Sequence, residues 1–247
     1  MKIAKFGNGK ERIAVVGSLH GNELIGKNVI ARLVRQKHIG AQITAVVANE
    51  NAIKACKRYI DTDGNRCFPG RKEGNNEERM AYELLRAIKG CRYVIDIHST
   101  YADMEDTAII TRRSSLKLAR KVPIKKVVLM GPAIAHGGAL IDYQDFAVSI
   151  EFNRKRNTSY VLRVLRSTIR NIIEGRSLAK QDSYLVKGFV SGNGKPIGLR
   201  NYKKIREGSV IAVDNGQKTL ADEDFYPVFF GEKGYRNAYC MKAVKLR

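Results

Sequence analysis

The chain predicts an α/β fold: a mixed, mainly parallel sheet flanked by helices, followed by a small C-terminal β-rich domain. Three observations carry this. Short, near-continuous apolar and β-branched runs recur up to about residue 150, as strands covered on both faces require. Amphipathic stretches of helical period separate them. Beyond about residue 180 the helical pattern stops, and Gly188, Gly192, Gly194, Gly198, Gly208 and Gly216 punctuate short apolar runs. Residues 13–16 open the pattern as a strand, and residues 23–36 follow as an amphipathic helix. Strands are then expected at 43–48, 93–97, 107–110, 127–130 and 147–150, and helices at 77–89, 114–121 and 157–173. Glu174-Gly175 closes the last helix with a C-cap signal. The predicted domains are 1–178, α/β, and 179–247, β-rich. Gly-Asn-Gly-Lys occurs at 7–10 and again at 192–195. Each copy reads as a hairpin turn, because a phosphate loop needs Ser or Thr after its Lys, and Glu11 and Pro196 stand there.

Hydrophobic residues make up 44% and charged residues 28% of the 247 positions, which excludes disordered and fibrous classes. No apolar run approaches the ~20 residues that span a bilayer, and Met1-Lys2-Ile3-Ala4-Lys5 has no apolar signal core, so a cytoplasmic protein without a membrane partner is expected. Cys56, Cys67, Cys91 and Cys240 form no C-x-x-C pair and read as reduced, mostly packed thiols. The 45 Lys and Arg against 24 Asp and Glu give a net charge of +21. Such a field attracts anions and leaves nucleic acid and acidic small substrates open as partners. The excess is spread over 112–126, 154–176 and 187–206, as on a solvated basic face.

The chemistry concentrates at strand ends. The first strand runs into Ser18-Leu19-His20-Gly21-Asn22-Glu23, where a His and a Glu three apart at a turn can face one centre. Imidazole nitrogen and carboxylate oxygen suit zinc, which takes about three protein ligands in catalytic sites. His98 ends the strand at 93–97 and is the natural third ligand, whereas His38 closes a helix and His136 sits in a Gly-rich loop. Asp96 is placed to accept the other ring N–H of a ligating His. The plain alternative is a capping or core histidine beside a solvated glutamate. Glu151 follows the apolar run 147–150 and is a candidate general base, or else a strand-end ion-pair partner. The polar segment 58–70 carries Arg58 and Arg66, whose forks either bind carboxylates or simply face solvent.

His20-Gly21-Asn22-Glu23, Arg58-Tyr59-Ile60-Asp61 with Asn65-Arg66, Asp96-Ile97-His98, Ile150-Glu151, and Tyr226-Pro227-Val228-Phe229 with Glu232 and Tyr235 stand in the order found in the aspartoacylase and succinylglutamate desuccinylase family. The chain resembles that family, a branch of the zinc carboxypeptidase-like fold, from about residue 13 to 240. The resemblance implies one zinc ion held by His20, Glu23 and His98, with Glu151 as general acid/base and Arg58 polarising the scissile carbonyl. It implies that Asn65 and Arg66 bind the substrate carboxylate, that Tyr235 reaches the same pocket, and that the β-rich domain narrows its entrance. The implied reaction is hydrolysis of an N-acyl amino acid. The chain departs from the aspartoacylase pattern at Ile141, where an Arg is usual, at Asn153-Arg154 in place of Gly-Pro, at Gly64 in place of an apolar residue, and at Ser99 in place of Asn. The catalytic pattern therefore transfers further than the substrate. Rival functions are a nucleic-acid-binding protein, hinted at by Tyr202-Lys203-Lys204 near Arg200 and Arg206, and a zinc carboxypeptidase acting on short peptides. Non-specific nucleic-acid contact and a homodimer are the further partners expected.

Overall fold

The computed structural model describes residues 1–36, 40–131, 134, 137–178, 180–232 and 238–246; His38, His136 and Tyr235 lie outside them. The strands are β1 (Lys2–Phe6), β2 (Arg12–Gly17), β3 (Gln42–Val47), β4 (Tyr93–Thr100), β5 (Thr107–Ile110), β6 (Lys126–Leu129), β7 (Ala147–Asn153), β8 (Asp182–Ser191), β9 (Lys195–Pro196), β10 (Val210–Asp214), β11 (Gln217–Leu220), β12 (Tyr226–Val228) and β13 (Ala238–Lys245). The helices are α1 (Leu24–Leu33), α2 (Glu50–Lys54), α3 (Asn76–Ala87), α4 (Leu116–Ala119) and α5 (Thr158–Ile173).

One sheet runs β1-β3-β2-β4-β7-β5-β6-β8-β13-β12, and a second, three-stranded sheet runs β11-β10-β9. At its centre β3, β2, β4 and β7 are parallel, while β5 runs antiparallel to β7 and parallel to β6. The sheet is thus mixed and mainly parallel in the part that bears the site, as the apolar runs require. Its two faces are covered separately. Val29, Leu33, Leu118, Val161, Leu165 and Ile169 of α1, α4 and α5 pack on one face. Met80, Ala81 and Leu84 of α3 pack on the other, with Leu140 and Phe229. Apolar side chains on both faces explain why the central strands show no polar alternation.

Several expectations are corrected. β1 is an added edge strand whose residues are mostly exposed and which pairs antiparallel with β3. Residues 7–10 therefore link β1 to the non-adjacent β2 and form no hairpin; Gly9, at φ 134°, passes so close to Gly40 that a Cβ would lie 2.3 Å from its carbonyl oxygen. Residues 192–195 likewise carry the chain from β8 to β9 in the other sheet. The helix expected at 114–121 shrinks to a 3-10 turn, Arg113–Ser115, and the short α4. Cys56 is exposed, although all four cysteines are free as expected. The link around residue 178 joins α5 to β8; beyond it β8, β13 and β12 extend the main sheet, while β9, β10 and β11 build the small antiparallel one.

Two basic segments distant in sequence meet on the helical face. Lys121 Nζ donates to the carbonyls of Asn171 and Arg176, and Asn171 Nδ2 donates back to Lys121 O at 2.8 Å. Arg113, Lys117, Arg120, Arg163, Arg166 and Arg170 are exposed there.

Candidate active site

β2 ends at Gly17 against the start of α1, and the approach is close: a Cβ on Gly17 would sit 2.8 Å from Gly26 backbone atoms. The connecting turn is tight. Ser18 adopts φ 54°, and its hydroxyl donates to Glu23 O at 2.9 Å while accepting from Lys27 N at 3.1 Å. A side chain held in this left-handed region needs such local compensation. The turn delivers His20 and Glu23 inward, 3% and 5% exposed. β4, parallel to β2, brings His98 to the same point from the next strand.

The three side chains converge. His20 Nδ1 lies 2.8 Å from Glu23 Oε1, and His98 Nδ1 lies 3.0 Å from Glu23 Oε2. The far ring nitrogens face carboxylates as well: His20 Nε2 is 3.1 Å from Asp63 Oδ1, and His98 Nε2 is 2.7 Å from Asp96 Oδ2. A neutral imidazole has one N–H. If each ring gives it to its outer carboxylate, both Nδ1 lone pairs confront Glu23 oxygens in a buried site, and only extra protons or a cation can relieve this. The donor set fits a metal: ligand atoms of His20, Glu23 and His98 all lie within 4.8 Å of one another, and carboxylates backing both histidines are the usual outer partners of ligating imidazoles. Burial opposes charge on His20 and His98, but the surrounding carboxylates outweigh it and raise both pKa values, His98 strongly. Burial opposes the Glu23 carboxylate too, yet the two histidines hold its pKa well below the ordinary range.

Glu151 stands opposite His98 in the β4–β7 register. Burial, reinforced by Glu23 and Glu232 against the pull of the histidines, pushes its carboxyl up to about 7. Arg58 bridges two acids, with Nε 3.2 Å from Asp63 Oδ2 and a terminal nitrogen 3.2 Å from Glu23 Oε1. Asp63 is thereby shared between His20 and Arg58, and its pKa is depressed although burial alone would raise it.

These groups line a cavity of about 330 Å³. Its lining combines polar side chains, among them Arg58, Asn65, Arg66 and Glu151, with apolar ones, Ile109, Met130, Ile134, Ile141, Phe229 and Met241. The buried Asn65 Oδ1 has no hydrogen-bond partner among the described residues, and the exposed Arg66 side chain donates from Nη1 to Asn65 O at 2.8 Å. Among the described lining residues, Arg58 and Arg66 supply the guanidinium groups. Phe229, Glu232 and Met241 reach the cavity from beyond residue 178, and Glu232 accepts from Thr100 Oγ1 at 2.5 Å and Tyr101 N at 3.1 Å.

Of the sequence-predicted residues, His20, Glu23, His98, Asp96, Glu151, Arg58, Asn65 and Arg66 all gather at this site; Tyr235 lies outside the described residues. Asp63 was not singled out by spacing. The signal was an acid five residues after Arg58, and its meaning depends on His20 lying across the fold.

Residues 9–134 match the succinylglutamate desuccinylase/aspartoacylase catalytic domain. A zebrafish (Danio rerio) N-acyl-aromatic-L-amino acid amidohydrolase (carboxylate-forming) A is 34% identical over 150 residues, which span 49% of this chain and 45% of that protein. A probable aspartoacylase of Prochlorococcus marinus strain AS9601 is 26% identical over 92% of this chain and 90% of its own. The crystal structure of murine aminoacylase 3 superposes with a TM-score of 0.78 at 21% identity, covering 96% of each chain. With the catalytic-domain match running through the turn that carries His20 and Glu23 and through the strand that carries His98, the chain belongs to the succinylglutamate desuccinylase/aspartoacylase family.

Proposed function

We propose that the protein is a zinc-dependent hydrolase that cleaves the amide bond of an N-acyl amino acid. The observation that carries this is the convergence of two carboxylate-backed histidines on Glu23 beside a carboxyl poised near neutrality, Glu151. The named activities of the relatives, amide hydrolysis of N-acyl amino acids, support it. His20, Glu23 and His98 would hold one zinc ion, which supplies Lewis acidity and lowers the pKa of water toward ~7.

The chain's own groups do the rest. Glu151 accepts a proton from the attacking water and returns it to the leaving nitrogen, so the amide and one water become a carboxylic acid and a free amine. Arg58 places its guanidinium where the carbonyl oxygen gains charge. Asp63 and Asp96 fix the two imidazoles. Arg66 and the side-chain NH₂ of Asn65 donate to the substrate carboxylate. The apolar side chains of the lining then receive an uncharged group, and Ile141 among them leaves no cation at that position for a second carboxylate. The 179–247 portion acts as a wall that restricts access to short substrates, through Phe229, Glu232 and Met241, and this disfavours the carboxypeptidase reading.

The test is a hydrolysis screen of the zinc-loaded protein against acetyl, succinyl and longer acyl derivatives of acidic, neutral, aromatic and basic amino acids. Release of the free amino acid is expected, with less than ~100-fold preference for aspartate over neutral side chains. No turnover of any derivative at stoichiometric zinc overturns the reading. A second reading, non-specific contact with nucleic acid, is favoured by the union of the α4 and α5 basic segments on one face.

A further inference from the structure

We propose that Glu77, outside the cavity, is a positioning residue that holds the segment between Arg58 and Asp63 in register with the metal ligands. By sequence Glu77 is an ordinary first-turn acid of α3, a place where carboxylates favour the helix dipole and normally face water. It is instead fully buried, at 0% exposure. No basic side chain pairs with it among the described ion pairs. Its carboxylate is taken up by the loop: Oε1 accepts from Ile60 N at 2.8 Å, and Oε2 accepts from Asp61 N at 3.0 Å and Thr62 N at 3.2 Å. Asn49 Nδ2 and Asn76 Nδ2 complete the shell on Oε1, each at 2.9 Å. Burial alone would raise the Glu77 pKa, but these donors outweigh it and keep the carboxylate charged.

The three captured N–H groups are consecutive, at residues 60–62; Asp63 follows them directly, and Arg58 stands two residues before Ile60. Between α2 and the 3-10 turn Gly64–Arg66 the backbone forms no helix or strand, so these amides have no ladder to satisfy them. Glu77 supplies the missing acceptors. It fixes where the loop leaves Gly21, whose N–H donates to Arg58 O at 2.9 Å, and where it presents Asp63 to His20. The inference rests on the hydrolase reading only for what Arg58 does to the substrate; its effect on Asp63 and His20 stands apart from turnover.

The variants follow from the geometry. Glu77→Gln keeps the size but offers one oxygen, so its amide NH₂ must face either Ile60 N–H or the pair from Asp61 and Thr62. Glu77→Asp keeps the charge at shorter reach. Leu84→Ala, on the same helix and fully buried, destabilises the fold without touching the loop. Three readouts are taken on the full chain: amide hydrogen exchange at residues 60–62, zinc affinity by chelator competition, and kcat separated from KM. Glu77→Gln is expected to speed exchange at these amides at least ~10-fold. It should weaken zinc ~10- to 100-fold, as loss of an outer partner does, and lower kcat at saturating zinc ~10- to 100-fold with little change in KM. Glu77→Asp should recover part of each, and Leu84→Ala should leave all three near the parent. If Glu77→Gln does not fold, the same readouts on Glu77→Asp decide, intermediate values supporting the role. Unchanged exchange and zinc affinity in a folded variant, or failure of both Glu77 variants to fold, overturns it. A parent inactive on every N-acyl amino acid defeats the hydrolase reading instead, and the exchange and zinc arms still judge Glu77.

Discussion

Glu151 and the two histidines share one electrostatic problem, the disposal of protons among crowded carboxylates. With its carboxyl near 7, Glu151 can take up and return a proton at the same pH, the property a general acid/base needs. Glu151→Gln should therefore retain stoichiometric zinc and lose ~10²- to 10⁴-fold in kcat, checked by metal analysis and steady-state kinetics. The same crowding makes metal-free stability depend on pH. Glu151 is raised from 4.5 to about 7, and His20 and His98 are raised above 6.5, so the folded metal-free protein holds protons that the unfolded chain releases. Their stabilisation is full below the unfolded values and fades as pH climbs through the folded ones. Glu23 and Asp63, depressed, act oppositely and lose their contribution only as pH falls below the ordinary carboxylate range. Zinc held as proposed by His20, Glu23 and His98 would have to displace the protons on the ligating histidine nitrogens. The Tm of the chelated protein should fall from about pH 5 to about pH 8, and zinc should raise Tm more at pH 8 than at pH 6; an equal lift at both contradicts the assignment.

At the scale of elements, the site depends on how closely β2 and α1 approach. A methyl group on Gly26 would meet Gly17 at 2.7 Å, backbone against backbone. Gly26→Ala should destabilise by ~1–3 kcal/mol in denaturant titration, because neither element can yield without moving the turn that holds His20 and Glu23. The 3-10 turn Leu140–Tyr143 buries Ile141 in the lining of the cavity. Ile141→Arg should shift kcat/KM toward N-acetylaspartate over N-acetylmethionine by ~10-fold or more, measured as a ratio so that a general loss of activity cancels. Much of this was legible in sequence. The runs at 13–16, 93–97 and 147–150 announce strands because both their faces are buried, and His20, His98 and Glu151 stand where such strands end. β1 escaped because an exposed edge strand, Lys2–Phe6, carries no such run. Asp63 and Glu77 escaped because their partners are 43 and about 15 residues away in sequence, beyond any periodicity. The two Gly-Asn-Gly-Lys turns misled because local turn chemistry says nothing of which strands pair.

Across the whole molecule the charge is unevenly placed. α3 mixes Glu77, Glu78 and Glu83 with Arg79 and Arg86, whereas α5 carries Arg163, Arg166 and Arg170 and no acid. Any binding of RNA to the α4–α5 face should be sequence-blind and should collapse between low and physiological salt, as distributed phosphate contacts do; a titration at two salt concentrations checks it. No helix among the described residues is long and apolar enough to cross a membrane. The order of strands across the main sheet bears on biosynthesis. The residues proposed as metal ligands lie between 20 and 98, yet Phe229 and Met241, which line the cavity, arrive on the far edge through β12 and β13, hydrogen-bonded outward from β8. As the chain emerges from the ribosome, β2, β4 and β7, which carry or adjoin the candidate metal residues, are all made before that wall exists. On the proposed function, a nascent chain stalled before residue 226 would present the candidate metal residues without Phe229 and Met241, and selection among substrates would begin only when β12 and β13 zip onto the sheet.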